Sequence, residues 1–498
     1  MKKIISFSIL CVFALTSCSD FLDVKPSNQA DSSVSILTAD DALVMINGLM
    51  RRMTSYDYYG RNFILYGDAK GGDLALVSQG RGLDALYTFN HSASSNSYSG
   101  YWSHIYNSIL QANNLIINID KLIDGGNTSA KLQQYKAEAL TARAIFYYDL
   151  VRLYGKPYDM DKTSYGVPLP LEPLDASVLP VRESVESVYT QILKDLTDAA
   201  QSQALLQPSS STRGYISYYA NIAMQARVYL QMQNYTAALS AAEEIINSEK
   251  YTLYTNAEWV NSWKSQFGNE SIFELYIVPD ESDLATGSLG FYLRRLGHGS
   301  NSAMGWFVAS DAFVARLGED TDDVRLGIMD NDELAGNSKY PSGRLGSCYK
   351  YSGSTSLQGD GKATATAVNI KVIRLSEIYL IAAEAALLKS PSDKEKAAKY
   401  LQEIRKRAPN LTPADENNIT LDMIINEKSK ELFAEGHRFF DMMRWNKEIT
   451  FNDELLESST ITHREKTIDR TFYKTILPIS LGELNANPAI REQQNPGY

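Results

Sequence analysis

The sequence predicts a mostly α protein in which tetratricopeptide-like helical pairs form a scaffold, with long irregular insertions and a few short strands. Three observations predict it. Leu132, Tyr135, Ala139, Ala142, Phe146, Leu150 and Leu153 recur at intervals of three or four and stop before Gly155 and Pro157, the mark of an amphipathic helix. Two later stretches repeat the pattern as helical hairpins, one of them setting small residues against large ones. Between the helical units lie four segments rich in Gly, Ser, Asn or Pro with little helical period.

The first segment reads as a leader. Lys2 and Lys3 precede an apolar run from Ile4 to Leu15, which meets Leu15-Thr16-Ser17-Cys18. An apolar stretch shorter than the roughly 20 residues that span a bilayer, behind a charged start, suits a signal peptide. Small residues directly before Cys18 favour a lipoprotein signal over residues 1–17 against an ordinary secretory signal with an accidental cysteine. Cys18 is then the expected lipidation site, and a diacylated N-terminus the anchor, because a single acyl chain binds a membrane only marginally. Residues 18–498 follow as one domain.

Within that domain, Trp102, Ile105, Ile109 and Leu110 begin a helical stretch toward Ile123, and Asp124-Gly125-Gly126 lets it fold back on the 132–153 helix. A second hairpin runs from Tyr215 to Asn247, where Ala226, Tyr229, Tyr235 and Ala238 match tetratricopeptide spacing and Gln233-Asn234 must supply the turn. A third pair spans Arg374 to Lys389 and Asp393 to Ala408, with Ile378, Ile381, Ala385 and Leu388 on one stripe. The expected packing is a right-handed tetratricopeptide-like bundle. The insertions are Tyr66 to Gly100, Pro157 to Pro180, Trp259 to Asp311 and Leu326 to Asn369, with a short strand expected at Ser271 to Val278. Long loops inside a compact domain usually carry function.

Composition narrows the chemistry. A net charge of -11, a pI of about 5.2 and scattered Lys and Arg exclude a nucleic-acid binder. Cys348 is the one cysteine left after the leader and Cys18, so no intramolecular disulfide is expected and Cys348 reads as a small buried apolar residue. The five histidines, His91, His104, His298, His437 and His463, form no metal-ligand spacing, and no nucleophile elbow or phosphate-cradling loop occurs. No catalytic residue, metal or cofactor is therefore assigned, and an enzyme is not expected. Glu427, Glu431 and Glu435 share an i, i+4, i+8 spacing that could suggest acid–base work. A structural ion network with Lys428, Arg438 and Arg444 is the better reading. The acidic run Glu319 to Asp323 lacks the glycine and distal glutamate of a calcium loop and reads as a solvated turn.

Specific motifs then carry a resemblance. Ser-Asp-Phe-Leu-Asp-Val-Lys-Pro follows Cys18; Glu427, Glu431, Leu432, Glu435, Gly436, Arg438, Asp441, Arg444 and Trp445 form a distinctive run; and Leu477-Pro478-Ile479, Asn487-Pro488 and Gln494-Asn495-Pro496-Gly497-Tyr498 close the chain. With Lys428 for a usual arginine and Ser480 for a common proline, this pattern resembles the SusD/RagB family over nearly the whole chain. The resemblance implies an outer-membrane nutrient-binding lipoprotein on the extracellular face, handing its ligand to a SusC-like TonB-dependent transporter. Asp20 and Asp23 fit the acidic export signals of such lipoproteins, and Asp323-Val324-Arg325 resembles a structural family element. A glycan is the expected ligand, with a peptide as the alternative.

For a glycan, loop aromatics offer stacking faces while nearby polar side chains bond hydroxyls. Tyr292, Trp306 and Phe307, with Arg294, Arg295, His298 and Asn301 between them, make the candidate surface. Tyr98 and Asn96 join it because family ligand sites draw on corresponding loops. Trp102, which starts a helix, is expected in the core.

Overall fold

The computed structural model describes residues 36–80, 82–94, 99–277, 287–294, 304–336, 339–351, 368–456 and 461–498. The leader, Cys18, Asn96, Tyr98, Arg295, His298 and Asn301 lie outside these residues.

The predicted helical pairs form where the stripes place them. Helix α1, Ala39–Met53, starts at a capping box in which Thr38 Oγ1 accepts from Asp41 N at 3.2 Å and Asp41 Oδ2 accepts from Thr38 N at 2.9 Å. After the short α2, Asn62–Ala69, come α3, Ser99–Asp124, and α4, Ala130–Tyr154. They fold back on each other through Gly126, whose φ of +96° is open to glycine at little cost. Helix α5, Val185–Gln201, adds an element that the sequence reading did not assign. Helices α6, Tyr218–Gln231, and α7, Tyr235–Asn247, turn at Gln233, which takes the left-handed φ of +58° expected of the repeat's glycine. Asn234 then caps α7 by accepting from Ala237 N at 3.3 Å. Helices α8, Leu375–Leu388, and α9, Lys394–Arg405, complete the row.

From α3 to α9 each helix packs on the next. Buried alanines let the axes approach: Ala142 in α4, Ala226 in α6, Ala238 in α7 and Ala385 in α8 have no exposure. Polar pins fix the register. Arg143 in α4 grips Asp195 in α5 with two bonds of 2.8 Å, and Arg227 in α6 grips Glu377 in α8 with two of 2.6 Å.

The insertions are less irregular than expected. β1, Leu74–Leu76, pairs antiparallel with β3, Phe307–Ala309, joining two insertions distant in sequence. β2, Ser271–Leu275, fills most of the expected strand and pairs with β6, Ile370–Arg374. β4, Met329–Ala335, and β5, Ser342–Cys348, make a hairpin inside Leu326 to Asn369. Its acidic face had hidden it: Asp332 is buried against Arg344 at 2.5 Å, so a core position carries a carboxylate instead of an apolar residue. Cys348 is buried, as expected, and burial pushes its thiol up to about 11.

The glutamate run is a structural ion network, with two corrections. The helix breaks: α10 is Leu421–Glu431 and α11 is Arg438–Arg444, with Ala434 and Gly436 at positive φ between them. Glu435 is therefore not on the helical face of Glu427 and Glu431. Their partners also differ. Arg374 reaches Glu431 at 2.7 Å and Glu435 at 2.8 Å, Lys350 reaches Glu435 at 2.7 Å, and Arg325 reaches Glu427 at 2.6 Å. Arg325, held by Asp323 at 2.7 Å, takes the structural place expected of it. Lys428 and Arg444 instead pair with Asp441 at 2.9 Å each, and Arg438 with Asp73 at 3.3 Å. The turn exists because α2 comes very close: a Cβ on Gly67 would lie 2.1 Å from the Gly436 carbonyl oxygen.

Candidate functional site

The site begins in the turn between α1 and α2, where Tyr58 and Tyr59 point inward. Both hydroxyls donate to Asp149 of α4, that of Tyr59 at 2.8 Å, and Arg152 pairs with the same carboxylate. Burial and the neighbouring Asp149 charge push both phenols well above their ordinary range, so they remain donors. Gly60 permits the tight turn, since a Cβ there would meet the Thr54 carbonyl oxygen at 2.3 Å. Arg61 is thereby fixed. Its Nε donates to Asn62 Oδ1 at 2.8 Å, and Asn62 Nδ2 donates to Asp57 Oδ1 at 3.2 Å.

The second part comes from the insertion after β2. Leu289–Tyr292 is a helical turn capped by Ser288, and the chain returns alongside it where Met304 N donates to Phe291 O at 2.7 Å. Trp306 meets Tyr292 edge to face, with ring centroids 4.9 Å apart at 88°. Its carbonyl accepts from Val77 N at 3.0 Å, extending the β1–β3 ladder. The Arg61 guanidinium lies 4.6 Å from the Tyr292 ring centroid and 5.1 Å from that of Tyr56. Tyr56 is exposed and Trp306 half-buried.

Tyr56, Arg61, Tyr292 and Trp306 thus form one cluster, in which Tyr56 and Trp306 keep open surface and Arg61 and Tyr292 are mostly buried. The open rings can stack on the C–H face of a sugar ring, and the guanidinium edge that stays accessible can bond a hydroxyl.

The predicted residues separate accordingly. Trp306 and Tyr292 are brought together, although Tyr292 is itself mostly buried beneath Trp306 and Arg61. Phe307 is a correction: it has no exposure, because it is the first residue of β3 and points to the side opposite Trp306. A ring with no open face cannot stack on a ligand. Arg294 is also buried, its guanidinium 4.7 Å from the Tyr349 ring centroid, and serves packing rather than a surface. Asn301, Tyr98 and Asn96 fall outside the described residues. Gly100 itself lies beside Asp57, where a Cβ on it would be 3.9 Å from the Asp57 carboxyl carbon. Trp102 is in the core, edge to face with Tyr154 at 4.9 Å. Tyr56 and Arg61 were missed; their only local signal is a tyrosine-rich turn.

A separate polar cavity of about 40 Å³ lies beside Arg227, Glu377 and His437 in the scaffold. Burial pulls His437 down to about 4, so it is neutral at pH 7. Space for about one water, among groups already paired, makes this a structural cavity. Among the described residues no three His, Cys, Asp or Glu side chains gather as metal ligands, and no helix is long and apolar enough to cross a membrane.

Two family models match the chain. The SusD family covers residues 314–498, and a family described as starch-binding and associating with the outer membrane covers residues 20–230. A SusD superfamily protein from Bacteroides thetaiotaomicron is 33% identical, with 92% of this chain and 100% of that chain covered and a TM-score of 0.81. A second, from Bacteroides vulgatus, is 29% identical, with 93% and 100% covered and a TM-score of 0.79. SusD-like protein P25 of Formosa agariphila is 24% identical over 98% of both chains. Being 33% identical to the Bacteroides thetaiotaomicron SusD superfamily protein over that protein's whole length and matching the SusD family model over residues 314–498, the chain belongs to the SusD family.

Proposed function

We propose that this protein is a cell-surface lipoprotein that captures a glycan and delivers it to a SusC-like TonB-dependent transporter in the outer membrane. The observation that carries the reading is the cluster in which Tyr56 and Trp306 keep open ring surface around the mostly buried Arg61 and Tyr292. The family description as starch-binding and outer-membrane-associating supports it. Lipidation at Cys18 would hold the domain at the extracellular face, and Asn96, Asn301 and Tyr98 would complete the ligand contacts. The protein's part in uptake is binding, with no chemical step of its own.

The test is calorimetric titration of residues 19–498 with maltoheptaose, laminarihexaose, galactomannan oligosaccharides and mixed tripeptides, on wild type and Arg61→Ala. Saturable binding of one carbohydrate, weakened by Arg61→Ala, is expected. Binding confined to the peptides would refute the glycan reading. Delivery is tested by affinity purification of the tagged protein from outer membranes, where failure to co-purify a TonB-dependent barrel would refute the partnership.

A further inference from the structure

We propose a second carbohydrate subsite in the groove between the C-terminal end of α1 and residues 210–215, taking a further sugar ring of the same glycan chain. The proposal rests on the glycan reading above. The groove measures about 400 Å³, within the roughly 300 to 1,000 Å³ of small-ligand sites. Tyr276 and Tyr215 line it while 52% and 37% exposed, and Phe267 lies beside Tyr276 with ring centroids 5.9 Å apart. Large rings set side by side at the surface are unusual unless something covers them. Asn47, Arg51 and Ser211 rim the same groove, so hydroxyl partners border the apolar faces. That pairing of chemistries favours a sugar over a purely apolar ligand.

The groove is built, not incidental. Phe267 has a φ of +53°, a left-handed conformation strained for a non-glycine residue. Two charged side chains hold it there: both oxygens of the buried Glu274 accept from Phe267 N at 3.1 Å, and Arg213 Nη1 donates to Phe267 O at 2.5 Å and Gly268 O at 2.6 Å. Gly214 leaves room for the ring, since a Cβ there would lie 3.1 Å from it. Strain of this kind, maintained by two charged side chains that each bond the backbone, marks a placed side chain.

The groove also adjoins the first cluster. Thr54 lines its wall, and Tyr56, two residues on, faces Arg61. Two Cα steps separate the residues by less than about 8 Å, so one oligosaccharide can touch both surfaces.

The test is affinity electrophoresis of the full mature domain in gels containing amylopectin, laminarin or galactomannan. Tyr276→Ala and Tyr215→Ala, both at exposed positions, are compared with Tyr276→Phe, Trp306→Ala and wild type. Each tyrosine-to-alanine change is expected to weaken retardation about 3- to 10-fold at an unchanged melting temperature, with Tyr276→Phe close to wild type. Retardation equal to wild type in both alanine variants overturns the subsite. Loss in those variants with Trp306→Ala unaffected supports the subsite but overturns the first cluster. No retardation of wild type by any of the three polysaccharides removes the glycan reading and the subsite with it.

Discussion

Replacing Trp306 with alanine separates a binding role from a packing role, because the structure sets different magnitudes for each. A fully buried tryptophan costs about 3 to 5 kcal/mol of folding stability when truncated. Trp306 is half-buried, so about half of that is at stake, including about 0.5 to 1.5 kcal/mol from its edge-to-face contact with Tyr292. Its indole N–H is shielded and has no acceptor among the described residues, and removing it returns about 1 kcal/mol. The net stability loss is expected to be about 0.5 to 1.5 kcal/mol. For a domain of this length that lowers the melting temperature by about 1 to 3 °C. Glycan affinity should fall by about 1 to 3 kcal/mol, or roughly 5- to 150-fold. Differential scanning calorimetry and titration with the best-bound oligosaccharide read the two quantities on one sample. A melting temperature lowered by more than about 8 °C, or an unchanged Kd in the folded variant, would refute the assignment.

Cys18→Ala should abolish incorporation of labelled fatty acid and release the protein from membranes; continued labelling would exclude that thiol as the acceptor. Glu138 is buried with one oxygen accepting from Gln134 at 2.8 Å, and burial raises its carboxyl from 4.5 to about 7. A raised folded value means that its contribution is complete below about pH 4.5 and lost as pH rises through about 7. Glu138→Gln should therefore be neutral at pH 5 and more stable than wild type by about 2 to 3 kcal/mol at pH 8.5, and urea unfolding at both pH values with no difference between them would contradict this. Arg374→Met strands the buried carboxylates of Glu431 and Glu435 and should cost about 3 to 5 kcal/mol; a loss below 1 kcal/mol in the same assay would show the network is not needed. Purified mature domain should release no reducing sugar from starch or laminarin, and turnover that survives repurification would overturn the non-enzymatic reading.

The helical row was legible because its signals are local. Stripes such as Leu132 to Leu153 report a helix without knowledge of what covers it. The same logic could have found α5, where Val185, Val188, Ile192, Leu196 and Ala199 keep the period and are buried. The β4–β5 hairpin was hidden by its buried Asp332–Arg344 pair, which puts charge where a strand pattern needs an apolar residue. At the site, Trp306 and Phe307 looked equivalent in sequence, yet adjacent strand positions face opposite ways, and only one remains near solvent. Arg61 and Tyr292 are 231 positions apart. Their meeting depends on the β1–β3 pairing and on the anchoring of the 55–62 turn to α4, neither of which leaves a periodic trace.

That anchoring has a consequence for selectivity. Because Asp149 receives two tyrosine hydroxyls and Arg152, the segment that presents Arg61 is pinned to a helix in the middle of the row. Little side-chain freedom is left to lose when a ligand arrives, so more of the contact energy remains as affinity. A rigid arrangement of this kind also discriminates by shape: a glycan whose linkage bends its rings away from the spacing of the aromatic faces gains no help from adjustment by the protein. Chain geometry, more than the chemistry of individual sugars, would then decide what is captured.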